Sequence, residues 1–217
     1  MHRSYASVRC SVYVSVGLML VYVWSSLSDH TFSLRDSLPQ LFGVNPRAFF
    51  LMGILALSIG LVASSKLLKE KTSPFEVLMP VVGSVGTACI AIAPFQMLFS
   101  AGALCAIGLV ALGFSYCWFI VRFGLLFLCD RSVARIAYCI AGALIMEPLV
   151  RVGLESNFDH SVLAGVAVAL PLVSAGLLFA ARCLVGAQQA PNCRADGVEP
   201  LRQVGQMRQL QQRMQNG

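Results

Sequence analysis

From Val77 to Val121 the chain runs 45 residues without one Asp, Glu, Lys, Arg or His. On a soluble domain a stretch that long would reach the surface repeatedly and meet water with nothing to solvate it. A membrane-spanning helix needs about 20 residues, so 45 is too many for one crossing and enough for two. The segment must therefore fold back on itself. The reversal is expected at Ala93-Pro94-Phe95-Gln96 through Ser100-Ala101-Gly102, because Pro94 breaks a helix and Gln96 and Ser100 are the polar residues nearest the midpoint.

The rest of the chain agrees. Hydrophobic residues make up 57% of its 217 positions, charged residues 12%, and the mean hydropathy is +0.75, which excludes soluble enzymes, disordered tails and disulfide-stapled secreted modules. Six apolar runs predict spans near 11–27, 48–65, 77–93, 101–121, 132–150 and 161–181. The first, behind Arg3 and Arg9 and ahead of Ser26 and Ser28, has the outline of a signal peptide, but five spans follow it and it reads as a retained helix. Phe123 to Cys129 is too short to cross and reads as a continuation of the fourth helix or an interfacial stretch. The fifth span has an uncharged centre of 11 residues, Ile136 to Met146, and must borrow its flanks, with Arg135 near one interface and Glu147 near the other.

The basic residues predict the orientation. With the N-terminus in the cytoplasm, the inner segments carry 13 of the 16 Lys and Arg residues, among them Arg122, Arg131 and Arg135 beside Asp130, and only Arg35, Arg47 and Arg151 lie outside. Acidic residues divide evenly, so Lys and Arg alone carry the bias. The fold class expected is an all-α integral membrane protein, a six-helix bundle over 1–184 with both termini cytoplasmic, in the cell membrane and by its pattern the cytoplasmic membrane of a bacterium. Residues 185–217 read as a cytosolic linker and a short amphipathic tail, where Leu201, Val204, Met207, Leu210 and Met214 recur at spacings of three and four.

Few residues point to chemistry. Glu147, followed by Pro148 and Arg151, is the ionisable group closest to bilayer depth. It is the candidate ligand or proton site, and an ion pair with Arg151 four residues on is the plainer reading. Asp29-His30 and Asp159-His160 fall in two outer loops and read as solvated. The eight cysteines form no C-x-x-C pair and no zinc spacing, so they read as small buried hydrophobes; no metal and no cofactor is expected. Small residues four apart, Ala137 with Ala141, Gly165 with Ala169 and Gly176 with Ala180, read as helix-packing contacts. Pro80, Pro94 and Pro171 mark tolerated kinks or the broken helices of a substrate site. No nucleophile, base or ligand set clusters in the spans, so no enzyme is expected, and nothing resembles a module that binds nucleic acid directly.

Two resemblances are carried by short stretches. Asp130-Arg131-Ser132-Val133-Ala134-Arg135 is similar to the end of the cytoplasmic loop motif of major facilitator transporters, G-x-x-x-D-R-x-G-R-R. It lacks the leading Gly, has Val133 in place of the second, and follows the fourth span rather than the second. Gly102 to Leu184, with Tyr116-Cys117-Trp118 before the basic turn and Arg135 after it, resembles the facilitator-like membrane region of LuxR-type regulators, without their helix-turn-helix. The second resemblance implies a non-catalytic sensing or ligand-binding module whose tail addresses a cytosolic partner. The first implies half of a transporter, working as a homodimer or with another subunit. An assembly scaffold would need no cavity at all.

Overall fold

A computed structural model describes residues 2–30, 45–63, 74–93, 98–128 and 133–196. Among these residues the structure is helical throughout, with six helices: α1 His2–His30, α2 Pro46–Ala63, α3 Phe75–Ile92, α4 Leu98–Leu128, α5 Val133–Asn157 and α6 His160–Asp196. Each contains a segment long and apolar enough to cross a membrane. Helices suit such a setting because their backbone groups are satisfied within the segment, where lipid offers no partner.

The boundaries differ from the expected spans for local reasons. α3 begins at Phe75, behind Pro74, whose missing N–H costs nothing at a helix start. It ends at Ile92 just before Pro94, and the return helix resumes at Leu98, inside the reversal expected to extend to Gly102. α4 passes through Arg122 without a break to Leu128, so the short apolar stretch after Arg122 continues the helix. α5 runs to Asn157 instead of 150, since Pro148 removes one backbone donor without halting the helix. α6 continues to Asp196, where the sequence suggested a linker from 185; Ala187, Gln188, Gln189 and Ala190 are good helix formers and carry it past Pro191. The amphipathic pattern at 201–214, with Asp130 and Arg131, lies outside the described residues.

Four helices form a closed ring, α1 against α6, α6 against α3, α3 against α4 and α4 against α1; α2 packs outside on α4, and α5 outside on α1. Glycine sets the closest approaches. A methyl group on Gly53 of α2 would run into the Val110 carbonyl of α4, and one on Gly113 into the Phe50 carbonyl. Gly86 and Gly108 join α3 to α4 in the same way. Such backbone contact holds helices together where lipid supplies no hydrophobic drive between them. The small pairs singled out in α6 do something else: nothing lies within 4 Å of the position a Cβ would take on Gly165 or Gly176, so they face outward.

Helix directions follow from the contacts. Cys10 and Gly17 of α1 meet Ala181 and Leu177 of α6, so these two run antiparallel. Gly83 meets Ser115 and Gly86 meets Gly108, so α3 and α4 are antiparallel as well. The beginning of the α1 span and the end of the α6 span thus lie at the same end of the bundle. Exchanging α1 with α4, α2 with α5 and α3 with α6 reproduces the principal pairings. Because α1 and α4 run in opposite directions, the two three-helix halves share these pairings in inverted orientation. Trp24, Phe119 and Phe123 fill the centre, with Trp24 edge-on to Phe119 at a centroid distance of 6.2 Å.

Candidate functional site

At one end of the ring three helices meet over a single carboxylate. Glu76 stands in the first turn of α3. Arg122 of α4 donates from Nη2 to Glu76 Oε1 at 2.9 Å, and Arg182 of α6 donates from Nη1 to the same oxygen. Their burial is unequal: the Arg122 side chain is 3% exposed, whereas Glu76 and Arg182 are 21% and 23% exposed. Arg122 is thus the interior member and the other two form the rim. The Arg122 guanidinium also lies 4.4 Å from the centre of the Trp118 ring, and Trp118 leans against Phe75 at 5.9 Å. A cation held between a carboxylate and an indole face keeps partners on both sides when water is excluded.

Two turns further into the bundle the lining becomes neutral and polar. Gly83 lies seven residues beyond Glu76, and Ser115 seven before Arg122, as antiparallel neighbours require. Trp24 Nε1 donates to Thr87 Oγ1 at 2.8 Å, and Thr87 Oγ1 donates to the Gly83 carbonyl at 2.9 Å. The hydroxyl oxygens of Ser84, Ser115 and Ser174 are buried without a hydrogen-bond partner. Ser84 follows Glu76 by eight residues and Ser174 precedes Arg182 by eight, so the antiparallel register sets them at one height, about 12 Å from the charged group at 1.5 Å per residue. Unpartnered hydroxyls from α3, α4 and α6 thus lie at this level of the bundle. No set of three or more His, Cys, Asp or Glu side chains gathers among the described residues.

The residues chosen from sequence are dispersed. Arg151 Nε lies 3.3 Å from Glu147 Oε1, and Arg151 Nη1 lies 3.7 Å from Glu155 Oε1. The first pair is at ion-pair separation without the alignment of a hydrogen bond, and both its atoms are shielded from solvent. Glu147 follows Val133 by fourteen residues in a helix of 25, close to its middle and not near an end as a span over 132–150 implied. It stands in line with the buried Cys139 and Ala143 on the side of α5 that faces α1. Arg135 sits exposed in the first turn of α5, and His160 opens α6, also exposed. Of the described residues singled out, only Arg122 belongs to the charged group. Glu76 and Arg182 entered the sequence reading merely as charges of the inner segments, although the pairing of Glu76 with Arg122 leaves a trace there: these two residues bound the uncharged 45, one on each side of its reversal.

Cys10, Cys89, Cys105, Cys117, Cys139 and Cys183 are not joined in disulfides. Cys117 lies 3.4 Å from the Ser58 hydroxyl, and Cys139 donates to the Ser11 carbonyl at 3.6 Å, which are packing contacts between neighbouring helices. No protein-family model, no curated protein and no solved structure matches the chain. The fold defines the class: an all-helical chain with six helices able to cross a membrane, compatible with a multi-pass membrane protein.

Proposed function

We propose that the chain is a non-catalytic, ligand-responsive membrane module, in which a small polar molecule bound at the Ser84, Ser115 and Ser174 level alters the hold of Glu76 on Arg182. The observation that carries this reading is the continuity of α6. One unbroken helix holds Ser174, then Arg182, then fourteen further residues to Asp196, roughly 21 Å of helix at 1.5 Å per residue. A ligand shifts an equilibrium only through contacts that differ between two states. Here the differing contact is the Glu76 carboxylate, which holds α6 through Arg182 and α4 through Arg122. Loss of the Arg182 bond frees the projecting end of α6 to reorient towards a cytosolic partner.

Hydrogen exchange on the membrane-embedded chain tests this. Glu76→Gln should accelerate exchange in the α6 extension, residues 184–196, and leave the other end of α6, near His160, at the wild-type rate. Equal exchange at 184–196 in both proteins would remove the coupling and the reading with it.

The inverted pairing of the halves favours a second reading, a transporter subunit working as a dimer, since substrate sites in such folds lie where inverted repeats meet. Counterflow of labelled amino acids and sugars in proteoliposomes distinguishes the two. Accumulation that Ser115→Leu abolishes supports transport, and its absence beside an intact α6 response supports sensing.

A further inference from the structure

We infer that Arg182 binds the phosphate of an anionic phospholipid in the groove between the ends of α3 and α6. The inference deepens the proposed coupling, because it names a membrane component that competes for the residue Glu76 holds. It rests on that reading only for its consequence, not for the site itself.

A guanidinium offers five N–H donors in a planar fork. Arg182 uses Nη1 on Glu76 Oε1, an oxygen that also accepts from Arg122. The rest of the fork belongs to a side chain that is 23% exposed, at the rim of the charged group and not inside it. Planar, bidentate recognition of phosphate oxygens is what such a fork does best.

The surroundings are those of a lipid, not of a free anion. Phe179, one turn before Arg182 on α6, is 66% exposed, and Val77, beside Glu76 on α3, is 74% exposed. An acyl chain covers such side chains while its headgroup meets the charge. The depth also fits. Arg182 stands two residues before the end of the apolar segment His160–Leu184, and Glu76 is the second residue of Phe75–Ile92, so both lie where hydrocarbon gives way to headgroups. The basic bias places this end of the bundle on the inner face, whose leaflet carries anionic lipids. A single phosphodiester there complements Arg182 by charge and Phe179 and Val77 by apolar contact.

The test compares thermal unfolding of the full chain in detergent, with phosphatidylglycerol, with phosphatidylcholine or with inorganic phosphate added. Phosphatidylglycerol should raise the midpoint by several degrees more than phosphatidylcholine. Arg182→Gln should erase that difference, Arg182→Lys should keep part of it, and Arg135→Gln, on a helix away from the groove, should keep all of it. Equal effects of the two lipids, or a full difference surviving in Arg182→Gln, would overturn the site. An equal shift from inorganic phosphate without lipid would assign the site to a free anion and overturn the lipid. If Arg182→Gln does not fold, native mass spectrometry of the wild type from mixed lipid decides. Retained phosphatidylglycerol in excess of its share supports the site, and retention in proportion to the mixture refutes it. A negative result here beside faster α6 exchange in Glu76→Gln would remove the lipid and leave the coupling standing.

Discussion

Single residues in this protein matter by whether their charge has a partner out of water. Replacing Glu76 by Leu takes from Arg122, 3% exposed, the carboxylate that offsets its desolvation. Breaking a buried pair from one side costs about 3 to 5 kcal/mol, and the rim exposure of Glu76 lowers this to the order of 2 kcal/mol. Glu76→Gln, which keeps an acceptor oxygen, should cost less than Glu76→Leu; equal loss in denaturant or thermal unfolding would mean that the acceptor oxygen is immaterial and the lost charge carries the whole effect. Glu147 offers a different contrast. Arg151 is held by Glu155 as well as by Glu147, so Glu147→Gln should cost no more than about 1 kcal/mol. Reversing only Glu147 and Arg151 would set a new acid beside Glu155, and the double reversal should therefore restore stability only in part. Adding Glu155→Arg should complete the rescue. A Glu147→Gln protein of full stability that has lost a pH-dependent or ligand-dependent response would instead assign Glu147 a proton or a cation.

Between elements, the close approaches are made by glycine, and the structure separates glycines that matter from glycines that do not. A methyl on Gly53 or Gly113 meets backbone of the facing helix, which has no rotamer with which to yield. Overpacking of this kind costs roughly 1 to 3 kcal/mol, more than the ~1 kcal/mol by which Ala favours a helix over Gly. Gly53→Ala and Gly113→Ala should thus destabilise. Gly60→Ala, with nothing within 4 Å, should be neutral or stabilising, and thermal unfolding of the three variants checks the ordering. The number of helices was legible in the sequence, because spans need about 20 apolar residues and charge punctuates them. Which glycines pack was not. Spacing by four marks Gly165 and Ala169 as well as any true contact, and only the neighbouring helix tells a packed glycine from one facing outward. The charged group was half legible. Glu76 and Arg122 close a hairpin whose reversal Pro94 announces, whereas Arg182 joins them only because α6 packs against α3, a pairing across 106 residues that no local pattern encodes.

At the scale of the whole molecule, antiparallel packing of α1 with α6 sets Cys10 beside Ala181, which puts the beginning of the first span and the end of the last at one end of the bundle. An even number of crossings has this consequence, so packing and count agree without reference to any bilayer. The side on which that end lies is a separate matter, and the distribution of Lys and Arg, 13 against 3, predicts the cytoplasmic one. The two statements fail in different ways, and labelling can tell them apart. In a variant lacking the eight native cysteines, single cysteines at positions 36 and 157 should react with an impermeant maleimide added outside intact cells, and one at position 70 should react only after permeabilisation. Reversal at all three positions would keep the bundle and invert its orientation, contradicting the charge rule alone. Reaction from outside at 70 together with 157 would break the alternation of spans itself, and with it the inverted pairing of the halves and the placement of Glu76, Arg122 and Arg182 at the inner face.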